Sequence, residues 1–417
     1  MTANRHDAEE VTAHLTLSSE IYIKSDSVSR KFAKRLRKNI RAALRPIDVQ
    51  MRSLGKARIE IKTTEYKTLA DRLATVFGIQ SIARVETFEF STLDELIELL
   101  TPRTQPLVVG KRFAVRVKRR GAHDWRAADL EAALGAALYD SSAGVDLTNP
   151  EATVRVRIEG HRAHVTLDRI EGAGGMPLGS QGRALVLLSG GFDSPVAAWS
   201  LMSRGVAVEF VHFRLECSQA DHAIAVAQQL WEKWGTGSGG RVHVIEFQPI
   251  KDALRDQLDA RLRQIVLKRL MMVAGDGVAG RLGIPVLATG EAIGQVSSQT
   301  FPHLVELDQT IQRPIFRPLL TADKNSIIET SRRIGTFDLS SRAIEVCDLS
   351  DGRPVATQAK RRDIVAAEAT LGSDIVADAL ADWEIVDLAT WLPGEPLRRF
   401  DPVKDVPAFL RPDSLPA

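Results

Sequence analysis

The sequence predicts an α/β protein in which two small α+β modules precede a larger domain built on a doubly wound parallel sheet. Two observations lead to this prediction. In roughly the first 170 residues, strands with alternating apolar and polar residues are separated by amphipathic helices, as in α+β modules with one solvated sheet face. From residue 183 the strands become continuous apolar runs between helical segments, which is typical of parallel strands buried on both faces.

The first module is predicted to run strand, helix, strand, helix, strand. Its strands are residues 15–23 (LTLSSEIYI), 57–62 (ARIEIK) and 81–90 (SIARVETFEF), in which apolar residues alternate with polar ones. Its helices are residues 27–45 and 66–79, where apolar side chains recur at helical spacing. The second module repeats the mixed pattern, with helices predicted at 92–100 and 127–140 and strands at 113–120, 153–160 and 162–170.

A Gly-rich segment, residues 171–182 (EGAGGMPLGSQG), is predicted to link these modules to the third domain. The apolar strands of that domain alternate with helical segments, which is the pattern of repeated βαβ units. The predicted strands are 184–188, 206–213, 242–247 and 284–290, and the helices include 194–205 and 221–235.

Composition excludes several classes of protein. A chain of 417 residues is too long for one ordinary core and predicts two or three domains. Two cysteines exclude a disulfide scaffold, and no CxxC pair suggests a zinc site. The N-terminus lacks the apolar core of a secretory signal, and no apolar stretch is long enough to cross a bilayer. We therefore expect a soluble, cytoplasmic protein without a membrane partner.

Two basic clusters stand out on a chain whose net charge is only +2. Nine Lys and Arg lie between residues 24 and 45, against the single acid Asp26, and a second cluster lies in residues 110–126. Such clusters are either solvated faces or contacts to a phosphate backbone, and two of them in one third of the chain favour nucleic acid. The predicted contacts are Lys31, Arg35, Lys38, Arg112, Arg116, Lys118, Arg119 and Arg120.

The segment LLSGGFDSPVAAW, residues 187–199, predicts an anion site. It carries Ser189, Gly190 and Gly191 from the carboxyl end of a strand to a helix that begins near Ser194. Free backbone N–H groups and the helix dipole favour a phosphate there, although the glycines alone are also compatible with a structural turn. The Gly-Lys-Ser/Thr ending of a Walker loop is missing.

The string SGGFDS resembles the signature loop of the PP-loop ATP pyrophosphatases, which cleave ATP between its α- and β-phosphates. Further strings are similar to the tRNA 4-thiouridine synthetases, the ThiI family of tRNA sulfurtransferases, and follow that family's order from about residue 20 to 350. These strings are VKRRGAHD, LTNP, GGMPLGSQG, VLKRLMMV, ATGEAIGQVSSQT and RPLLTADK.

The resemblance implies a domain organisation and a reaction. It implies an N-terminal ferredoxin-like domain at 1–66, a THUMP RNA-binding domain at 67–170, a PP-loop domain at 171–395 and a tail at 396–417. The implied enzyme adenylates the 4-carbonyl oxygen of uridine at position eight of tRNA and replaces it with sulfur, using ATP and Mg²⁺. Related enzymes also suggest a homodimer that binds one tRNA across two subunits.

Three residues are implied to be catalytic. Asp193 lies in the loop, and because a carboxylate beside a triphosphate is repelled unless a metal bridges them, we assign it to Mg²⁺; its alternative is a helix cap. Lys324 matches the family's essential lysine and is placed to neutralise charge on the phosphates. Cys347 matches the cysteine that takes part in sulfur transfer.

The resemblance further implies the ATP contacts. The first strand and its loop contribute most of them, and the later ones come from single positions along the PP-loop domain. They are Leu187, Leu188, Ser189, Gly190, Gly191, Ser194, His212, Phe213, Lys268, Gly290 and Gln299.

The resemblance fails at the C-terminus. No cysteine follows Cys347 and no room is left for the rhodanese-like domain, so we expect a short form of the family without its role in thiamine biosynthesis. Three sulfur sources stay open: a separate rhodanese or cysteine desulfurase that delivers persulfide, a persulfide on Cys347 that Cys217 resolves, or free sulfide.

Other functions stay open as alternatives. Amide-forming synthetases share the loop, but nothing here supplies an N-terminal Cys nucleophile for a glutaminase, and the basic modules have no purpose in that interpretation. Enzymes that thiolate the 2-carbonyl of a base are closer chemically but lack this N-terminal arrangement. A non-catalytic tRNA-binding protein is the third alternative, and the presence of both Asp193 and Lys324 argues against it.

Overall fold

The structure is a computed structural model that describes residues 10–45, 47–216, 220–343, 349, 351–352, 355–381 and 383–406. The described residues divide into two compact units. The first contains the residues up to 33 together with 40–175, and the second contains 34–39 and the residues from 176 onward.

The elements up to residue 175 form an eight-stranded sheet with its helices. The strands are β1 (Val11–Leu17), β2 (Gln50–Ser53), β3 (Arg58–Thr63), β4 (Ile79–Glu89), β5 (Arg112–Arg120), β6 (Gly144–Val145), β7 (Ala152–Glu159) and β8 (Arg162–Glu171). The helices are α1 (Ser19–Tyr22), α2 (Asp26–Ala43), α3 (Tyr66–Leu73), α4 (Leu93–Val108) and α5 (Ala127–Leu138).

One sheet runs through both predicted α+β modules, in the order β2-β3-β1-β4-β8-β7-β5-β6. The long strand β4 is the join, because it pairs antiparallel with β1 on one edge and with β8 on the other. Because side chains point alternately to the two faces of β7, Val154 and Val156 lie on its buried face. They pack in one core with Leu100 of α4 and Leu134 of α5.

The predicted strand 15–23 is only partly a strand. β1 ends at Leu17, and Ser19–Tyr22 form one helical turn that buries Ile21. A residue four positions after Leu17 falls on the same side of the chain in a strand and in a helix, so alternation alone does not separate the two.

The second unit contains seven strands with helices between them. The strands are β9 (Arg183–Leu187), β10 (Ala207–Arg214), β11 (Arg241–Glu246), β12 (Leu287–Ala288), β13 (Ile315–Phe316), β14 (Trp383–Asp387) and β15 (Arg398–Arg399). The helices are α6 (Asp193–Ser203), α7 (Ala220–Trp234), α8 (Gln248–Gln257), α9 (Ala260–Leu282), α10 (Phe301–Asp308), α11 (Lys324–Ile334), α12 (Phe337–Ser340), α13 (Arg361–Thr370), α14 (Ile375–Ala379) and α15 (Pro402–Asp405).

The sheet of this unit has the order β13-β12-β9-β10-β11-β14-β15. Its first five strands are parallel, and β9 at the centre is buried through Leu185 and Val186, which confirms the predicted parallel sheet. At the far edge, β14 and β15 are antiparallel, an extension that the sequence analysis does not predict. No helix in the described ranges is long and apolar enough to cross a membrane.

Part of the predicted C-terminal tail is folded. The Arg398 guanidinium forms an ion pair of 2.8 Å with Asp405, and the ring of Phe400 lies 4.1 Å from that of Trp383, centroid to centroid. These contacts hold residues 398–405 against the edge of the sheet, and residues 407–417 lie outside the described ones.

Candidate nucleotide-binding site and nucleic-acid interface

The loop between β9 and α6 lies at the carboxyl edge of the parallel sheet, as predicted. Gly190 adopts φ +79°, which favours glycine, and lets the chain turn sharply into the helix. The loop is closed by a hydrogen bond of 3.2 Å from the Ser189 N–H to Ser194 Oγ, and the two serine Oγ atoms lie 3.3 Å apart. The start of α6 thus faces the space above the loop, where an anion is stabilised by the helix dipole.

Gly290 follows β12 and packs directly on the start of α6. A methyl group at Gly290 would lie 2.6 Å from the carbonyl carbon of Asp193 and 2.8 Å from the Ser194 nitrogen. Both distances are shorter than van der Waals contact, so only glycine fits. The structure therefore brings Gly290, Asp193 and Ser194, three predicted site residues that follow two different strands, into contact.

Asp193 and Lys324 meet at the mouth of the loop. Lys324 is the first residue of α11, and its Nζ lies 3.1 and 3.3 Å from the two carboxylate oxygens of Asp193. The same ammonium lies 5.6 Å from the centroid of the Phe192 ring. Asp323 fixes the helix start by accepting hydrogen bonds of 3.0 Å from the N–H groups of Asn325 and Ser326.

His212 lies beneath the loop at the end of β10. Its Nδ1–H donates to the Leu188 carbonyl oxygen over 2.9 Å, which fixes the tautomer and leaves Nε2 as an acceptor. Burial lowers the pKa of His212, so the ring is neutral at pH 7. Nε2 has no hydrogen-bond partner among the described residues. Phe213, the neighbouring predicted contact, packs on Phe247 with ring centroids 4.6 Å apart and belongs to the core.

Lys268 and Gln299 belong to two other elements. Gln299 ends a short 3₁₀ turn and is buried, and its Oε1 has no partner among the described residues. Lys268 is half-buried on α9, where Gly275 packs on Leu187 at the end of β9. Because a crossover helix runs antiparallel to its strands, Lys268 lies about 10 Å nearer the carboxyl edge than Gly275.

Two predicted cysteines belong to parts of the chain that the structure does not describe. Cys347 and Cys217 both lie outside the described residues. The chain that leads to Cys347 is tied to the loop, since the Ser340 hydroxyl donates to the Gly191 carbonyl oxygen over 3.3 Å and the Phe337 ring lies 5.5 Å from Phe192.

Sequence analysis missed a buried ion pair beside this site. Arg317 Nε lies 2.8 Å from Glu291 Oε2, and the Thr289 hydroxyl donates to the same oxygen over 2.9 Å. The pKa of Arg317 is raised because the carboxylates of Glu291 and Asp308 outweigh the opposing effect of burial. An acid directly after the Gly290 turn was the available signal.

Asp193 fits a magnesium ion bound chiefly through phosphates. Among the described residues no three His, Cys, Asp or Glu side chains gather as a metal-binding group. Mg²⁺ in nucleotide sites needs only one or two protein carboxylates, with substrate phosphates and water as further ligands. The single carboxylate at the loop satisfies that requirement.

The second basic cluster divides between the two faces of β5. Arg116, Lys118 and Arg120 are exposed on one face of the strand. Arg119 points to the other face, where its guanidinium lies 5.5 Å from the Trp125 ring. Arg112 begins the strand and lies 3.9 Å from Asp146. Arg116, Lys118 and Arg120 are therefore adjacent on one face, and Arg112, at the start of the strand, has the same alternation.

The neighbouring strand adds two arginines to this face, which sequence analysis missed. In the β5–β7 register, Arg116 pairs with Arg155 and Lys118 with Arg157. Burial together with nearby arginines lowers the pKa of Arg155 and of Arg157. Like charges placed side by side on adjacent strands are unfavourable unless an anion lies over them. We call Arg116, Lys118, Arg120, Arg155 and Arg157 the basic sheet face.

The first cluster lies on α2. Lys31, Arg35 and Lys38 follow one another at spacings of four and three residues, which places them on one side of the helix. Lys31 and Lys38 are exposed and Arg35 is half-buried.

Comparison with known families divides the chain into three matched regions. Residues 15–83 match the ThiI ferredoxin-like domain and residues 90–168 match the THUMP domain. Residues 179–372 match the family described as "Thiamine biosynthesis protein (ThiI)".

Curated proteins and solved structures agree with these matches. The chain is 37% identical over 386 residues to a tRNA sulfurtransferase of Desulfurococcus amylolyticus, covering 91% of this chain and 80% of that protein. It is 34% identical to a tRNA sulfurtransferase of Shewanella pealeana, covering 89% and 78%. A crystal structure of a 4-thiouridine synthetase–RNA complex with bound ATP superposes with a TM-score of 0.75 at 25% identity, covering 90% of this chain and 99% of that one.

Proposed function

The chain belongs to the ThiI family of tRNA sulfurtransferases, and we propose that it adenylates uridine at position eight of tRNA and replaces the 4-carbonyl oxygen with sulfur. The observation that carries this proposal is the meeting of Asp193 and Lys324 at the mouth of the SGGFDS loop. A loop of this kind binds ATP. The Lys324 ammonium at its mouth can stabilise the negative charge of the departing pyrophosphate, and the Asp193 carboxylate can bind Mg²⁺.

The first step converts a poor leaving group into a good one. The uridine O4 attacks the α-phosphorus of ATP, the new O–P bond forms, and the bond to the β-phosphate oxygen breaks. The N–H groups of the loop and the start of α6 stabilise the departing pyrophosphate. AMP then leaves readily when a sulfur nucleophile attacks C4 of the base.

Each charged residue at the mouth has a separate role. Asp193 would hold Mg²⁺, which supplies charge neutralisation to the triphosphate. Lys324, now paired with Asp193, is free to turn to the phosphates when that carboxylate binds the metal. In the absence of ATP, the ion pair keeps both charges compensated.

The remaining predicted contacts suit the rest of the nucleotide. His212 Nε2 is an acceptor without a partner among the described residues, which matches the amino group of adenine. Gly290 lets the start of α6 pack against the end of β12, and Lys268 and Gln299 offer a cation and an amide to the nucleotide.

We propose that sulfur reaches the activated uridine as a persulfide delivered by a separate protein, such as a cysteine desulfurase or a rhodanese. The chain holds two cysteines, Cys217 and Cys347, so any sulfur carried on it is bound to one of them. Cys347 is the residue that the family uses in this step. A homodimer, as related enzymes suggest, stays a prediction.

The tRNA would be held by the two basic clusters. Phosphates suit the basic sheet face, because three predicted contacts and two further arginines stand side by side there. The basic side of α2 adds Lys31, Arg35 and Lys38.

The decisive experiment measures 4-thiouridine by mass spectrometry of digested tRNA, together with pyrophosphate release. Unmodified tRNA is incubated with Mg-ATP and either sulfide or a desulfurase with cysteine. Wild-type protein should form 4-thiouridine, and Asp193→Asn should form none, whereas the exposed control Asp378→Asn should match wild type. tRNA binding without any ATP turnover would instead support the non-catalytic alternative.

A further inference from the structure

His222 lies against the loop without being part of the predicted site. It occupies the first turn of α7, which follows β10, and it is half-buried. A methyl group at Gly190 would lie 3.1 Å from His222 Cδ2 and 3.5 Å from Ala223 Cα. The edge of the imidazole ring therefore packs directly on the glycine at which the loop turns.

The ring nitrogen beside that contact is Nε2. His222 Nε2 is buried and has no hydrogen-bond partner among the described residues. Nε2 is bonded to Cδ2, so it lies one bond from the atom that packs on Gly190. A buried polar atom without a partner costs free energy, and a ligand that supplies a partner recovers it.

The surroundings favour an anion as that partner. The loop N–H groups and the first turns of α6 and α7 all lie at this edge of the sheet, and their dipoles point positive ends at the same space. Burial lowers the pKa of His212, and smaller effects come from Arg214 and from His222, which lies close to it. His212 Nδ1–H is already bonded to the Leu188 carbonyl oxygen, so His222 is the histidine whose ring N–H can donate a hydrogen bond to a phosphate.

We propose that His222 binds ATP, with Nε2–H donating a hydrogen bond to an oxygen of the β- or γ-phosphate seated in the loop. The proposal rests on the proposed function only in that the loop binds ATP. The residue would hold the part of ATP that leaves as pyrophosphate.

The test compares the affinities for ATP and AMP of the full chain by calorimetry, without tRNA. The His222→Ala variant loses a hydrogen bond to a charged group, so it should bind ATP roughly 10- to 100-fold more weakly than wild type. AMP lacks the β- and γ-phosphates, so its affinity should stay unchanged. His222→Gln keeps an N–H donor near the position of Nε2 and should recover most of the ATP affinity.

Asp221→Ala is the matched control, because Asp221 is the exposed neighbour in the same helical turn. Equal losses of ATP and AMP affinity in His222→Ala would show that the ring only supports the loop and would overturn the proposal. Unchanged ATP affinity would overturn it as well. If wild type binds ATP but forms no 4-thiouridine, the proposed function fails while this binding comparison still decides the role of His222.

Discussion

Lys324 Nζ lies 3.1 Å from Asp193 Oδ1, although 131 residues separate the two along the chain. Each is the first residue of its helix, so the pair brings the N-termini of α6 and α11 to one point at the loop. Two helix dipoles therefore point their positive ends at the same space, together with the ammonium group. A triphosphate is the ligand that this convergence favours.

Lys324→Met should abolish most of the catalysis while leaving the fold intact. An ammonium group that acts on charge developing in the transition state contributes about 100-fold or more to the rate. The Lys324 and Asp193 side chains are 46% and 27% exposed, so their ion pair stabilises the fold by about 1 kcal/mol or less. We expect tRNA-dependent pyrophosphate release to fall by that factor and the melting temperature to stay nearly constant.

Lys360→Met is the control, since Lys360 is an exposed lysine before α13. A large fall in melting temperature for Lys324→Met, or an unchanged rate, would contradict the assigned role.

Gly290→Ala should damage the nucleotide site through a steric contact. The added methyl group would lie 2.6 Å from the backbone of Asp193, which must shift to accommodate it. Overpacking of this kind costs roughly 1–3 kcal/mol, and the shift moves the start of α6. We expect weaker ATP binding by calorimetry and a lower melting temperature.

Gly239→Ala is the matched control, because a methyl group there meets nothing within 4 Å. ATP binding by Gly290→Ala at wild-type affinity would show that the contact between Gly290 and α6 does not shape the site.

The loop and the parallel sheet were predictable because their signals are local. Eleven consecutive residues, 183–193, contain the apolar run of β9, the glycines and Asp193. Each of these signals determines the conformation of the residues next to it. Lys324 was identified only by resemblance, since a lysine at a helix start is usually a solvated residue. Its pairing with Asp193 depends on how the sheet is wound, which no local pattern encodes.

The sequence analysis did not identify residues whose position depends on contacts between distant parts of the chain. Arg155 and Arg157 alternate with buried valines in β7, and only the pairing with β5 places them beside Arg116 and Lys118. His222 lies in the first turn of an ordinary amphipathic helix, and nothing in the neighbouring sequence indicates contact with Gly190. β15 consists of only two arginines, so no alternation marks it as a strand, and the antiparallel pairing of β14 depends on the far edge of the sheet, which no local pattern encodes.

Removing the two added arginines should weaken tRNA binding in a salt-dependent way. If Arg155 and Arg157 each contact a phosphate, Arg155→Ala/Arg157→Ala lowers the slope of log affinity against log salt by about 1 to 2. Pyrophosphate release at saturating tRNA should recover, since the ATP site is untouched. Filter binding at several salt concentrations measures the slope.

Arg103→Ala serves as the control, because Arg103 lies on α4 and contacts Glu86 and the Phe88 ring. An unchanged salt slope for the double variant would mean that the basic sheet face does not touch the tRNA backbone.

The stability of the chain should fall in mild acid because of His14. Burial, with a smaller effect of His164, lowers the pKa of His14 to about 4 from its ordinary value of 6.5. The unfolded state therefore binds more protons than the folded state below pH 6.5, so stability decreases as the pH falls from about 6.5 to about 4. The loss is at most about 3 kcal/mol.

Denaturant unfolding of the full chain across this pH range measures the effect. His14→Gln should flatten the dependence, whereas the exposed His161→Gln should leave it as in wild type. An equally steep fall in His14→Gln would assign the acid sensitivity to other groups.

Cys347→Ser separates activation of the uridine from delivery of sulfur. The thiol takes no part in adenylation, so tRNA-dependent pyrophosphate release should stay within about two-fold of wild type. With a desulfurase and cysteine as donor, 4-thiouridine should fall to background, because the thiol that the family uses to release the sulfur from the persulfide is gone. Free sulfide needs no such thiol and should still give product.

Cys217→Ser in the same assay decides whether an internal cysteine pair operates. If this variant loses product only when the donor is a persulfide, the transfer requires both thiols. Product from persulfide in Cys347→Ser would instead show that the donor's own thiols complete the transfer and that this chain contributes only the activated tRNA.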